Sequence, residues 1–369
     1  MMKTRTVRSG RFAPALLASA IWVSGLLFAG AANAEDAHPE SINLQLQSWT
    51  AVAEAKGILK EEFDKVGVRK VNLIAQSSGE LLGAESAAVG GGTLAFAQRM
   101  IYPAFVQKAN GIPAVIVWLS EASNRYRTPI FVSATNKEIK TLADLEGKKF
   151  GSSRISCYWS APFEILNNAG IPLDSRLKKG RVRYENIESP AVAVQALLSG
   201  EKDATAGHLA ANQFTSAYLQ GKFRLIAGPA DSGAYVNYAG RVSYFAHKDF
   251  AAKYPSVVKA FLRSRERARA WATDHVDEAA AIIAKALRLP ENVAKFQITH
   301  LGQWDFMAGE PSAEAARTAI KQFQKWYVEH GDDILVDKRL SEAQIDAFID
   351  GKFFLGGSHS IYGDRYSTY

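Results

Sequence analysis

Apolar and polar positions alternate over residues 42–46 (Ile42-Asn43-Leu44-Gln45-Leu46), the period of a half-buried strand. The alternation ends at Gln47-Ser48-Trp49-Thr50, and residues 51–59 take up a helical period. Gly57 conflicts mildly with that run: either the helix passes through it, or it ends there and restarts at Ile58. Residues 71–74 give the next strand, Ser77-Ser78-Gly79-Glu80 the next strand-to-helix turn and residues 81–89 the next helix, which Gly90-Gly91-Gly92 ends. A short strand is expected at 93–97, with further strands at 115–119 and 130–133. The beat then repeats: strand 149–151, helix 158–167, strand 182–185, helix 191–198, strand 204–206. Residues 239–247 read as a strand returning to the first set. Beyond Asp249 the chain reads mainly as helix, at 250–271, 276–287 and 313–330. Strands alternating with helices imply parallel pairing and an α/β fold. Two such sets, parted near residue 130 and rejoined near residue 240, predict two lobes.

The stretch 145–170, LEGKKFGSSRISCYWSAPFEILNNAG, carries the strongest local chemistry. It reads as a strand, a tight Gly151-Ser152-Ser153 turn and a helix stopped by Gly170 and Pro172. The first N–H groups of such a helix lack intrahelical partners and carry the positive end of its dipole, which favours an anion. The alternative is that Ser152 or Ser153 only caps the helix.

The first 34 residues stand apart. Lys3, Arg5, Arg8 and Arg11 precede a mostly apolar run and Ala32-Asn33-Ala34, the order of a secretory signal peptide cleaved after Ala34. Without it the formal charge falls from +7 to +3, and there is no basic stripe interleaved with aromatics of the kind nucleic acid requires. The remaining 335 residues suffice for two domains. The single cysteine, Cys157, excludes an internal disulfide. No metal-ligand spacing, nucleotide loop or G-x-S-x-G is present, so no metal or cofactor is expected.

Several stretches, in order and spacing, resemble the periplasmic substrate-binding proteins of ABC importers in the sulfonate, taurine and nitrate group, which includes thiamine-precursor binders. These are Ala55-Lys56-Gly57-Ile58-Leu59; Ser78-Gly79 with Leu81-Leu82 and Glu85; residues 139–149, IKTLADLEGKK; residues 198–204, LSGEKDA; and residues 250–262, FAAKYPSVVKAFL, extended by Asp277-Glu278-Ala279-Ala280. The likeness covers about residues 42–283, with a plausible tail to 354. It departs where the family often has an acid and this chain has Thr93. It departs again where the family has a Trp-acid-Pro cluster and this chain reads Thr205-Ala206-Gly207-His208-Leu209.

The resemblance implies a type II periplasmic-binding-protein fold: two doubly wound lobes joined by hinge strands. Lobe one would hold residues 35–129 plus 240–369, and lobe two residues 130–239. A small organic anion would bind in the cleft and be delivered to a permease at the inner membrane by a monomeric periplasmic protein. Ligand contacts are expected from Gln47, Ser48 and Trp49 at the first turn, Ser78 and Gly79 at the second, and Gly92 and Thr93 at the third. Across the cleft, Ser152, Ser153 and Arg154 would hold the polar end of the ligand. Trp49 and one of Tyr158 and Trp159 would enclose its apolar part. His208, Asn212 and Tyr238 are further candidates, with Asn237 beside the last. Each has a bland alternative as cap, core or surface residue. A rival function is an enzyme on the same scaffold, resembling a sulfinate desulfinase, with Cys157 as nucleophile and His208 as its base. A ligand-sensing domain is the third class.

Overall fold

A left-handed glycine divides the first helical run. The computed structural model describes residues 38–75, 84–121, 130–187, 189–209, 211–227, 238–300 and 308–354. Residues 1–37, Ser78, Gly79 and Asn237 lie outside these. β1 (Ser41–Leu46) leads into α1 (Ser48–Ala55), and Gly57, at φ +71°, separates it from α2 (Ile58–Asp64). β2 (Lys70–Ala75) pairs with β1 in parallel, Ser41 opposite Lys70. α3 (Ala84–Gly90) follows. Its C-terminal carbonyls take the N–H groups of Gly91, Thr93 and Leu94, so the expected strand at 93–97 begins only at β3 (Phe96–Met100). The sequence reading missed α4 (Ile101–Ala109), which precedes β4 (Ala114–Leu119).

The middle of the chain forms a separate five-stranded sheet. β5 (Ile130–Ser133) and β6 (Lys149–Ser152) precede α5 (Cys157–Asn168). β7 (Arg183–Asn186), α6 (Pro190–Leu198), β8 (Ala204–Ala206), α7 (Asn212–Leu219) and β9 (Phe223–Ala227) complete it. The strand order is β7-β6-β8-β5-β9. β6 runs parallel to β7 and β8, but β5 is antiparallel to β8 and β9. β10 (Val242–His247) then returns between β3 and β4, antiparallel to both. Parallel pairing therefore holds within the strand-helix-strand repeats. It fails where a strand enters a sheet from a long connection.

The expected helix 250–271 is two helices, α8 (Lys248–Lys253) and α9 (Pro255–Asp274). Pro255 suits a first helical turn and holds Tyr254 out of helical geometry. α10 (Val276–Leu287), α11 (Glu291–His300), α12 (Ala313–Glu329), α13 (Asp333–Asp337) and α14 (Glu342–Asp346) finish the described chain.

This C-terminal part contacts β4 on one side and the helices α4 and α5 on the other. Phe348 O accepts from Ile116 N at 2.7 Å, and Asp350 N donates to Ile116 O at 3.1 Å, extending the edge of β4. On the other side, α12 and α13 pack on α5. The buried Asp332 accepts from Tyr102 of α4 (3.0 Å to Oδ2), from Trp159 Nε1 of α5 (2.7 Å) and from Leu335 N (2.8 Å). The buried Glu164 of α5 accepts from Tyr327 Oη (2.9 Å), Tyr238 N (3.0 Å) and Ala239 N (2.5 Å). Burial raises the Asp332 carboxyl above its ordinary range, although these donors oppose the shift. Two apolar clusters fill the interior. One joins α4, α5, α12 and the five-stranded sheet; the other joins β1, α1, β10, α9 and α10.

Candidate functional site

The helix that the sequence singles out begins later than expected. Ser156 is its cap: Ser156 Oγ accepts from Tyr158 N at 3.1 Å and donates to Ser153 O at 2.8 Å. Neither Ser152 nor Ser153 caps α5, and residues 153–156 form a broad turn instead of a tight one. Gly151 has a packing reason for being glycine: an added Cβ would lie 2.3 Å from Ile187 Cδ1 and 3.1 Å from Lys202 Cγ. Ser152 ends β6 at 1% exposure. Its carbonyl accepts from Tyr184 Oη at 2.6 Å, while its Oγ is buried without a partner among the described residues. A buried hydroxyl normally finds a partner, so this one is notable.

Arg154 is engaged elsewhere. Its guanidinium forms an ion pair with Asp333 of α13 and stacks 3.6 Å over the Trp159 ring. That arrangement ties the turn to the C-terminal helices. The expected ligand contact from Arg154 therefore competes with two contacts already made. Trp159, 0% exposed, is a core residue donating to Asp332. Tyr158 is also buried; its ring lies 4.9 Å from that of His208, which is 2% exposed.

Burial lowers the His208 pKa to about 3. The folded imidazole stays neutral at pH values where the unfolded one is charged, so stability falls as pH drops below about 6.5. Between pH 7 and pH 5 this residue is expected to cost about 2 kcal/mol. Urea unfolding of the wild type and His208→Asn at both pH values measures it; equal pH slopes would refute it.

In the first sheets, Trp49 is 0% exposed and edge-on to Phe261 (5.2 Å) and Tyr244 (6.4 Å). The expectation that it stacks on a ligand gives way to core packing, because the helix turns its first aromatic position inward. Gln47, beside it, caps α1 and meets Gln98 Oε1 at 3.0 Å. Gln98 donates to Tyr244 Oη at 2.7 Å, and its N–H donates to Gln45 Oε1 at 3.2 Å. Gln45, Gln47 and Gln98 thus form an amide cluster between the end of β1 and the middle of β3, with Ser48 buried next to it. Gly92 and Thr93 lie in the exposed turn after α3, with Thr93 O accepting from Asn43 Nδ2 at 2.9 Å. Asn212 Oδ1 accepts from Gln297 Nε2 of α11 at 3.3 Å. Tyr238 stacks on Trp326, with ring centroids 5.6 Å apart.

Cys157 is the first residue of α5 and packs in the apolar cluster of the first sheets. Burial pushes its thiol up to about 12, against the nearby positive charge of Arg99. A nucleophilic cysteine needs the opposite shift, so burial works against Cys157 as a nucleophile. Among the described residues no cluster of His, Cys, Asp and Glu could hold a metal ion.

The sequence reading passed over Gln45, Gln98 and the Glu85–Arg99 pair. In the pair, Arg99 Nη2 lies 3.0 Å from Glu85 Oε2, with side chains 6% and 9% exposed. The available signal was a charged residue inside the apolar strand Phe96-Ala97-Gln98-Arg99-Met100.

A family model described as NMT1/THI5 like matches residues 54–279. A putative aliphatic sulfonates-binding protein of Escherichia coli (strain K12) is 26% identical over 204 residues, 54% of this chain. The chain spans 57% of the length of that relative. Among solved structures, the alkanesulfonate-binding protein SsuA of Xanthomonas axonopodis pv. citri bound to MOPS superposes with a TM-score of 0.67 at 17% identity. That match covers 85% of this chain and 99% of that one. The periplasmic aliphatic sulphonate binding protein SsuA of Escherichia coli gives 0.66 at 22% identity, covering 83% and 92%. The periplasmic nitrate-binding protein NrtA of Synechocystis PCC 6803 gives 0.62 at 13% identity, covering 85% and 87%. At these identities the likeness is one of fold, the α/β fold of periplasmic binding proteins.

Proposed function

The chain belongs to the NMT1/THI5-like family, and on that premise we propose that it is the solute-binding component of an ABC importer. It captures a small, sulfonate-like organic anion in the periplasm and passes it to a permease at the inner membrane. One lobe is residues 35–129 with 240–369 and the other residues 130–239, crossed near 125–132 and 236–244. The ligand sits between them. Its charged end meets the turn at Ser152 and Ser153; the facing polar contacts come from Gln47 and Ser48, with Gln45 and Gln98 behind them.

The observation that carries this reading is the turn before α5. A buried, unpartnered Ser152 hydroxyl precedes a helix N-terminus whose first residue, Cys157, packs into the cluster of the first sheets. Helix N-termini attract anions, and exclusion of water strengthens the attraction. The sulfonate-binding relatives support the ligand class.

A thermal-shift screen of organic sulfonates, nitrate, carboxylates, aromatic acids and pyrimidines tests it. A ligand at a hundred times its Kd adds about 2.7 kcal/mol to stability, a clear rise in Tm. The organic anions are expected to produce that rise. No shift with any member of the panel would overturn the proposal.

A further inference from the structure

Gln45 is the next-to-last residue of β1 and is 5% exposed. Its carboxamide oxygen accepts from Gln98 N at 3.2 Å and from Gln47 Nε2 at 3.3 Å. A backbone N–H can only donate, so the oxygen must face Gln98 and the orientation of the amide is fixed. Nε2 is turned the other way. It carries two N–H donors, and neither has an acceptor among the described residues. The other two buried glutamines among those residues differ. Gln297 Nε2 donates to Leu209 O at 3.3 Å, and Gln324 Nε2 to Leu340 O at 3.0 Å. Buried donors are normally paired, and leaving them unmade is costly.

Gln47 does not take up these donors. It donates to Gln45 Oε1 and to Gln98 Oε1 (3.0 Å), and its own oxygen accepts from Trp49 Nε1 at 3.2 Å. It spends its amide within the cluster, whereas Gln45 holds two donors that the cluster does not use. The place suits a ligand. β1 and β2 run parallel, and such sheets bind ligands beyond the carboxyl ends of their strands. In the register of the pair Gln45 lies opposite Ile74, so the two side chains share a face. Ile74 is 38% exposed, an apolar surface open beside the donors.

Resting on the solute-binding reading above, we propose that Gln45 is a specificity-determining residue of the solute site. It donates through Nε2 to an oxygen of an organic sulfonate, while the apolar body of the ligand lies against Ile74. This is a direct contact, where that reading sets Gln45 behind Gln47. An N–H pair accepts nothing, so a ligand group that can only donate, such as an ammonium, is rejected there. The amide is neutral, so it recognises the oxygen and leaves the charge of the anion to the turn before α5.

The test is calorimetry at about pH 7.5 with benzenesulfonate and ethanesulfonate on the wild type, Gln45→Glu and Gln45→Met. Glutamate keeps the shape and an oxygen for Gln98 N, but it has no donor and brings a charge. Methionine removes the donors and the acceptor and brings no charge. Both variants are expected to lose about tenfold to a hundredfold for the sulfonate that the wild type binds more tightly. A loss below about tenfold in either variant would overturn the contact. Methionine alone losing affinity would mark Gln45 as a support of the cluster, and glutamate alone would mark an effect of charge at a distance. If Gln45→Met does not fold, the ratio of wild-type to Gln45→Glu affinity at about 0.05 and 0.5 M salt decides, because salt screens a distant charge and does not restore a lost contact. A ratio that stays above about tenfold supports the contact, and one that falls below it at high salt overturns it. If the wild type binds neither sulfonate, the role of Gln45 falls, and another binder from the wider screen leaves the solute-binding reading standing. If nothing in that screen binds, both fall.

Discussion

Asp332→Ala is expected to lower folding stability by about 3–5 kcal/mol, the scale found when one partner of a buried charged group is removed. The carboxylate is fully buried and accepts from Tyr102 Oη, Trp159 Nε1, Ile334 N and Leu335 N. Alanine leaves those donors in an apolar interior, and each unsatisfied group costs about 1–3 kcal/mol. Asp332→Asn is expected to be milder, about 1–2 kcal/mol, because a carbonyl oxygen still accepts and the buried charge is gone. The sign of the pH dependence follows from the raised pKa. The contribution of the protonated carboxyl is fully present below the unfolded pKa and is lost as pH rises through the higher folded value. Urea unfolding of the three proteins decides the matter. A loss below about 1 kcal/mol in Asp332→Ala would show that water or rearrangement satisfies the donors.

Trp49→Ala is expected to cost about 3–5 kcal/mol, the range for removing a large buried aromatic. It is expected to leave affinity for whichever ligand the thermal-shift screen identifies within about threefold, since nothing of the ring is exposed. Its indole Nε1 donates to Gln47 Oε1 at 3.2 Å, so the ring also supports the amide cluster indirectly. If the alanine variant does not fold, Trp49→Phe keeps the ring contact with Phe261 and permits the same comparison. A loss of tenfold or more in affinity by calorimetry, in a variant that folds, would restore Trp49 as a ligand-stacking residue.

Much of the architecture was readable because periodicity is local. β1, β2, β4 and α10 fall within about a residue of the expected spans, and Gly57 breaks the first helix as its conformational freedom predicts. The misses have physical causes. Capping after α3 consumes Thr93 and Leu94 and delays β3. Pro255 divides a continuous amphipathic pattern. Strand direction depends on long connections that no local period encodes, so β5 and β10 come out antiparallel. For the candidate site, strand-end positions such as Gln47 and Ser152 were legible. The partner of Arg154 was not, because Asp333 lies 179 residues away. Trp49 and Trp159 looked like cleft residues from their place after a strand, but helical phase turned both inward.

The shared carboxylate of Asp332 also bears on how the chain folds. Its partners Tyr102 and Trp159 precede it by 230 and 173 residues. During synthesis from the N-terminus, α4 and α5 are complete long before their common acceptor exists. Until then Trp159 Nε1 and Tyr102 Oη have only water or each other's surroundings to bond with, and the interface they share stays wet. Closing such distant contacts places folding at the slow, non-local end of the topological scale. The interface that α4 and α5 share through Asp332 is therefore expected to close only after residue 332 has been made, late in synthesis.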